Sequence, residues 1–289
     1  MAKVSIIVGQ SASLSKQIME KYSLTMIPFV VDWKSEKSNL NPESIFQKMA
    51  DAEENGSEDL PKTSHPAPWL FKSFFEEKLK NSDSVLFVSL SSKLSATFES
   101  ANTGKEMLNP SLKEKVFLFD SQNVSAGEGL IAIKAAEIIG QGKSIQKAVE
   151  ELQDFKQKIC SAAIVENIKW LEKGGRAKGL SKLALPFLQK TGANIVLKIK
   201  NGKIEPAMLS LKNSNQASAV FNFFKKDKNR QKARVAITYA QNEQEAKDLK
   251  NLILKEFPET EIAFVCPIDN IIGIHTGPNA LICAWHPLE

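Results

Sequence analysis

The sequence has few of the residues that form disulfides and metal sites. Its 289 residues include three cysteines and three histidines. Cys160, Cys266 and Cys283 are scattered along the chain in apolar runs, so we expect three buried free thiols in a cytoplasmic protein. Since neither cysteines nor histidines are paired at metal-ligand spacing, the sequence predicts no metal and no other cofactor.

Long apolar runs and a strong charge imbalance are also missing. No stretch reaches the roughly 20 apolar residues that span a bilayer, and Met1–Val8 has the pattern of a strand, not of a signal peptide. The net charge of +5 comes from 38 basic and 33 acidic residues, too mild a balance to indicate a polyanionic partner. The basic run 225–234 has no interleaved aromatic residues. We therefore expect no transmembrane segment and no nucleic-acid partner.

Two catalytic signatures are absent as well. The chain has no G-x-x-x-x-G-K-[ST] sequence, which excludes a P-loop for nucleotide phosphates. It also has no G-x-S-x-G sequence, the nucleophile elbow of serine hydrolases. These absences favour a binding protein over an enzyme.

The pattern of apolar residues divides the chain into two halves. In residues 1–158, apolar strands such as Val85–Leu90 alternate with helical patterns, which is typical of a parallel sheet covered by helices. In residues 159–289 strands and helices mix, and Asn201–Gly202 has the sequence of a hairpin turn. We predict a two-domain α/β fold, with a parallel-sheet N-terminal domain and an α+β C-terminal domain.

Several elements are predicted from local spacing. Residues 130–139 are apolar nearly all round, which indicates a buried helix. A further helix is predicted around Leu180–Leu188, and Ile271–His275 is predicted as a strand. Ser95 is predicted to be the N-cap of the helix after Val85–Leu90, because its hydroxyl can accept from a free N–H of the first turn.

Small hydroxyl residues stand next to proline or glycine in three stretches, 61–66, 89–98 and 273–278. The first two precede predicted helices. Ligands of parallel sheets bind beyond the carboxyl ends of the strands, where helix N-termini attract anions. A hydroxyl-lined site there would suit a carboxylate better than a polyphosphate. On spacing alone, serines that only cap and close loops are the simpler interpretation.

Taken together, these stretches resemble the DegV family, the fatty-acid-binding proteins that serve bacterial fatty-acid kinases. Thr63–Pro66 matches the family pattern T-S-Q-P, and Ser91–Phe98 matches S-S-G-[IL]-S-G-T-[YF]. Asp120–Ser121 matches the family's D-S, Gly174–Arg176 its G-G-R, and His275–Leu281 its H-x-G-P/G-x-L. Each match is weak alone, but five in family order are specific.

The resemblance implies a non-enzymatic carrier of a long-chain fatty acid. It would present the carboxylate to a separate kinase subunit, which makes the acyl phosphate, and its second domain would complete the lipid pocket. Thr63 and Ser95 would hold the carboxylate. The ligand-binding residues that the resemblance implies are Thr63, Ser64, Ser92, Ser95, Arg176 and His275.

The chain departs from the family pattern near the head group. Gly9–Ser11 stands where the family has D-S-T, Lys93 and Ala96 replace the two glycines of the serine motif, and His65 replaces glutamine. These departures concern head-group geometry and kinase docking, and they leave Thr63 and Ser95 in place.

A fatty-acid tail would supply most of the affinity. Burying a methylene is worth roughly 0.8 kcal/mol, so a C16 tail could supply on the order of 10 kcal/mol. The helix at 130–139 and the side chains of Phe71, Phe74 and Phe75 are candidate walls of a tail tunnel. For each one singly, ordinary core packing is the simpler interpretation.

Two other functions stay open. The first is a serine-dependent lipid acyl hydrolase that uses Ser95 with His65 or His275, although no third triad member is evident. The second is a binder of another small carboxylate or phosphate.

Overall fold

The chain forms two compact units. The computed structural model describes residues 2–33, 42–56, 61–165, 168–176, 195–210, 214–228 and 230–288. Unit 1 comprises Met1–Val30, Ser64–Ile159 and Asn201–Lys203, and unit 2 comprises Val31–Thr63, Cys160–Lys200 and Ile204–Glu289. The helix predicted around Leu180–Leu188 lies outside the described residues.

Helices and strands alternate along much of the chain. The elements up to residue 158 are β1 (Val4–Gly9), a 3-10 turn (Gln10–Ala12), α1 (Lys16–Lys21), β2 (Leu24–Ile27), β3 (Val30–Asp32), α2 (Pro42–Glu54), β4 (Lys62–Ser64), α3 (Pro68–Leu79), β5 (Ser84–Ser89), α4 (Thr97–Glu106), α5 (Pro110–Lys113), β6 (Val116–Asp120), α6 (Ala126–Gly140) and α7 (Ile145–Lys158). They are followed by β7 (Cys160–Ile164), α8 (Ile168–Lys173), β8 (Ile195–Lys200), β9 (Lys203–Leu209), α9 (Gln216–Phe224), β10 (Ala233–Tyr239), α10 (Glu243–Glu256), β11 (Glu261–Pro267), α11 (Asn270–Thr276) and β12 (Leu281–Pro287). None of the helices in the described ranges is both long enough and apolar enough to cross a bilayer.

Unit 1 is built on a parallel sheet of four strands in the order β2-β1-β5-β6. Every residue of β5 is buried, as expected for a strand that is paired on both sides and covered on both faces. Successive side chains point to opposite faces, so Ile6 and Leu86 join the cluster under α6 and α7, while Ile7 and Phe87 join the cluster under α3 and α4. The predicted α/β class is confirmed.

The candidate tunnel walls belong to these two cores. The buried helix predicted at 130–139 is confirmed as part of α6. Phe71 and Phe75 are fully buried, and the Phe71 ring lies 5.9 Å from Phe75 and 5.0 Å from Phe87, between centroids. Ordinary core packing therefore accounts for these side chains.

Unit 2 contains a mixed sheet of six strands in the order β11-β10-β12-β7-β8-β9. β10 pairs parallel to β11 and antiparallel to β12. On this sheet the rings of Phe224 and Trp285 pack edge to face at 5.1 Å, and Phe257 packs on Phe224 at 5.6 Å. The hairpin turn predicted at Asn201–Gly202 is confirmed, since both residues have the positive φ of a type I′ turn, 50° and 79°.

One prediction of an element is wrong. Ile271–His275 is not a strand but lies in α11, whose N-cap is Asp269. The Asp269 carboxylate accepts a hydrogen bond from the N–H of Ile271 at 3.1 Å. All three isoleucines of α11 are buried, so the short run shows no polar face, and periodicity alone could not separate helix from strand.

The three cysteines are free thiols. Cys266 and Cys283 are buried, as predicted, but the predicted burial of Cys160 is wrong, because this residue is partly exposed. Burial raises the pKa of the Cys283 thiol, so this thiol stays protonated and unreactive at neutral pH.

Gly104 marks the closest approach of α3 and α4. A Cβ atom on Gly104 would lie 2.5 Å from the carbonyl oxygen of Pro68 and 2.7 Å from Cβ of Phe71. We expect Gly104→Ala to lower the free energy of unfolding by about 1–3 kcal/mol, because overpacking a tight interface costs that much. Urea unfolding followed by tryptophan fluorescence measures the change.

Gly140→Ala is the matched control. Gly140 also lies in a helix, but a Cβ atom there would meet nothing within 4 Å. This variant should be neutral or more stable by up to about 1 kcal/mol. Equal destabilisation by the two substitutions would contradict the close approach of α3 and α4.

Candidate functional site

Three of the predicted ligand-binding residues come together in unit 2. Thr63 lies in β4, Arg176 follows α8, and His275 lies in the last turn of α11. Oγ1 of Thr63 is 2.7 Å from Nε2 of His275, and Nη1 of Arg176 is 3.4 Å from Nδ1 of the same ring. The imidazole therefore links the threonine to the guanidinium.

The donor and acceptor roles in this cluster follow from the guanidinium. Arginine only donates hydrogen bonds, so Nδ1 of His275 is the acceptor towards Arg176. A neutral imidazole then carries its hydrogen on Nε2 and donates it to Oγ1 of Thr63. The hydroxyl hydrogen of Thr63 is left to be donated to another group.

Desolvation keeps the imidazole neutral. Burial, reinforced by the positive charge of Arg176, lowers the pKa of His275 to about 3. Burial also lowers the pKa of Arg176, but a guanidinium stays charged at neutral pH. The cluster thus combines one fixed positive charge with a neutral hydrogen-bonding chain.

Glycines give this cluster its close packing. The guanidinium of Arg176 donates from Nη1 to the carbonyl oxygen of Gly174 at 2.5 Å, and a Cβ atom on Gly174 would lie 2.6 Å from Nδ1 of His275. Gly175, two residues beyond the end of α8, has a φ of 74°, the left-handed conformation common after a helix. On α11, a Cβ atom on Gly273 would overlap the ring of Phe46 from α2.

Ser92 lies in unit 1, in the loop between β5 and α4. Its hydroxyl donates to Oδ2 of Asp120 at 2.7 Å, and its N–H donates to Oδ1 at 3.2 Å. Oδ1 also accepts from the N–H of Gln122 at 3.0 Å. Asp120 therefore ties this loop to the carboxyl end of β6.

Ser95 lies in the same loop and is partly buried. Its Oγ accepts a hydrogen bond from the N–H of Thr97 at 3.3 Å and is 2.8 Å from Oγ1 of Thr97. Helix α4 begins at Thr97, with Ala96 as its N-cap. The predicted N-cap is thus wrong by one residue, although the Ser95 hydroxyl does bond an N–H of the first turn.

The predicted residues form two sets in the structure. Thr63, Arg176 and His275 belong to unit 2, and Ser64, Ser92 and Ser95 belong to unit 1. Ser64 is exposed at the end of β4.

Sequence reasoning missed Glu128, in the first turn of α6. Its side chain is fully buried; Oε1 accepts from the hydroxyl of Ser11 at 3.0 Å, and Oε2 has no hydrogen-bond partner among the described residues. Burial raises the pKa of Glu128 well above its usual value, and the charge of Asp120 acts in the same direction. The signal was a single charged residue within an otherwise apolar stretch, Ala126–Ile133. Across the described ranges, no three His, Cys, Asp or Glu side chains group as a metal site would require.

Comparison with known sequences gives matches over the whole chain. A family model described as "Uncharacterised protein, DegV family" matches residues 3–287. A fatty acid-binding protein from Thermotoga maritima is 30% identical over 287 residues, which cover 96% of each chain. Protein DegV from Bacillus subtilis is 25% identical over 284 residues, which cover 98% of each chain.

Solved structures share the fold. A DegV family protein from Thermus thermophilus, described by its fatty acid binding, superimposes with a TM-score of 0.86 at 24% identity, over 99% of this chain and 100% of that one. A Thermotoga maritima protein, described as revealing a fatty acid binding function, gives a TM-score of 0.82 at 26% identity and covers 100% of both chains.

Because His275 is neutral in the folded protein, the free energy of unfolding depends on pH below about pH 6.5. Its pKa is about 3 in the folded protein, against about 6.5 in an unfolded chain. Between these values the unfolded state binds a proton that the folded state does not, so stability falls as the pH drops from about 6.5. Between pH 7 and pH 4 we expect the free energy of unfolding to fall by about 2–3 kcal/mol less in His275→Gln than in the wild type. Urea unfolding at each pH measures the difference.

His65→Gln is the control, because it replaces an exposed histidine. Between pH 7 and pH 4 the stability of His275→Gln should fall less steeply than that of His65→Gln. A curve for His275→Gln that runs parallel to the wild-type curve would show that His275 is not held neutral.

Proposed function

The chain belongs to the DegV family, and from this premise we propose that it binds one long-chain fatty acid and is not itself an enzyme. The relative at 30% identity over 96% of the chain, a fatty acid-binding protein, supports the proposal. The observation that carries it is the chain of hydrogen bonds from Arg176 through His275 to Thr63. These hydrogen bonds fix the direction of the Thr63 hydroxyl hydrogen, which can then be donated to a carboxylate oxygen.

In this proposal Thr63 and Ser95 hold the carboxylate. One lone pair of the Thr63 hydroxyl is occupied by Nε2–H of His275, so the hydroxyl donates outward. Ser95 Oγ accepts from a backbone N–H of α4 and lies 2.8 Å from Oγ1 of Thr97. With Thr97 as the donor of that second hydrogen bond, the hydrogen of Ser95 is left for the carboxylate. Hydrogen bonds to a charged acceptor are about twice as strong as neutral ones, and the positive charge of Arg176 offsets the negative charge of the ligand.

We assign supporting roles to the remaining predicted residues. Ser92 donates its hydroxyl hydrogen to Asp120, so it orients the loop that carries Ser95. Ser64 follows Thr63 directly and is exposed, so its hydroxyl is free to contact the head group.

We further propose that the carboxylate is presented in the cytoplasm to a separate fatty-acid kinase, which makes the acyl phosphate. The lack of a P-loop in the sequence supports this division of labour. The hydrolase alternative is not favoured, because both ring nitrogens of His275 are engaged by Thr63 and Arg176 and neither is available as the base for a nucleophile.

Mass spectrometry of the denatured protein tests this function. Protein purified from a bacterial host should release a free long-chain fatty acid, and added ATP with a bacterial fatty-acid kinase should convert it to an acyl phosphate. A covalent acyl-serine would indicate the hydrolase, and a polar ligand would indicate a binder of another carboxylate or of phosphate. An empty spectrum, together with no thermal shift on adding palmitate or oleate, would refute the proposal.

We expect Thr63→Ala and Ser95→Ala each to weaken fatty-acid binding by about 1–3 kcal/mol, through loss of one hydrogen bond to a charged group. Displacement of a fluorescent fatty acid from delipidated protein measures the change. Thr103→Ala and Ser73→Ala are matched controls at exposed helix positions and should bind like the wild type. If all four variants bind equally well, the carboxylate is held elsewhere.

A further inference from the structure

We propose that Gly202, in the turn between β8 and β9, is a positioning residue that holds the serine loop, residues 91–95, in its binding geometry. Gly202 acts through Ser91, and Ser91 in turn fixes Ser95. The inference rests on the proposed function, because it takes Ser95 as a contact of the carboxylate.

Ser91 is the anchor of the serine loop. It is fully buried, and its hydroxyl donates to the carbonyl oxygen of Gly202 at 2.7 Å and accepts from the N–H of Lys93 at 3.1 Å. Its N–H donates to the carbonyl oxygen of Asn123 at 2.8 Å, and its own carbonyl accepts from the N–H of Ser95 at 3.2 Å. Every polar group of Ser91 is therefore in use, and the backbone of Ser95 is bonded directly to it.

Only glycine fits at position 202. Its φ of +79° is strained for a residue with a side chain. A Cβ atom there would also lie 2.5 Å from Oγ of Ser91 and 3.2 Å from Cγ of Lys93. The second constraint is specific to this turn, because it arises from the serine loop itself.

The serine loop is thus held at two adjacent residues. The carboxylate of Asp120 holds Ser92, and the carbonyl of Gly202 holds Ser91. If a side chain pushes residue 202 away, the buried hydroxyl of Ser91 loses its acceptor, which is costly enough for the loop to rearrange. The hydroxyl of Ser95 then no longer points towards the carboxylate, although Ser95 itself is not substituted.

Gly202→Ala tests the proposal, with Gly56→Ala as its control. Gly56 also has a positive φ, +64°, but a Cβ atom there would meet nothing within 4 Å, so both variants carry the backbone strain and only one meets the serine loop. We expect Gly202→Ala to weaken fatty-acid binding about tenfold and Gly56→Ala to bind like the wild type. Wild-type affinity in a folded Gly202→Ala protein would overturn the proposal.

A double-mutant cycle separates positioning from a general loss of structure. In the Ser95→Ala background, Gly202→Ala should cost much less affinity than in the wild type, because its effect passes through Ser95. Additive losses would overturn the proposal. Should Gly202→Ala fail to fold, Ser91→Ala removes the same hydrogen bond without added volume and should give the same non-additivity.

Hydrogen exchange gives a readout without ligand. The amides of Lys93 and Ser95 should exchange at least about tenfold faster in Gly202→Ala than in Gly56→Ala, because their acceptors lie on Ser91. Unchanged exchange would overturn the inference whatever the protein binds. Faster exchange in a protein that binds no fatty acid would instead refute the proposed function, and with it the role of the loop in binding.

Discussion

The parallel pairing of β5 with β1 on one side and β6 on the other decides where the polar loops of unit 1 lie. Because these strands run in the same direction, Gly9, Ser89 and Asp120 end them at one edge of the sheet. The register opposes Ser89 to Asp120, which places the carboxylate within reach of Ser92. A shift of one residue would turn Asp120 to the other face, so the geometry of the loop depends on the register of the sheet.

Burial shifts the pKa of a side chain in each unit in favour of its uncharged form. It raises the pKa of Glu128 in unit 1 and lowers that of His275 in unit 2. Arg176 keeps its charge beside His275. Thr63, His275 and Arg176 therefore combine directed hydrogen bonds with a single positive charge.

Local patterns were predictable, and long-range arrangements were not. The turn at Asn201–Gly202 and the buried helix α6 have strong local signals, and both are confirmed. The amphipathic α10, with Ala246, Leu249 and Ile253 buried at helical spacing, is not among the predicted helices. Thr63 and Arg176 lie 212 and 99 residues from His275. No local pattern carries that proximity, and only the family motifs pointed to these residues together.

The division of the chain into units has a consequence for its synthesis. Unit 1 is discontinuous in sequence, and its three segments are Met1–Val30, Ser64–Ile159 and Asn201–Lys203. A nascent chain released only as far as Ile159 therefore lacks the turn to which Ser91 is bonded. Domains that are contiguous in sequence can fold one after another as they emerge from the ribosome. Here the first unit is completed only once the chain has been made as far as Lys203, so its last segment is synthesised after two segments of the second unit.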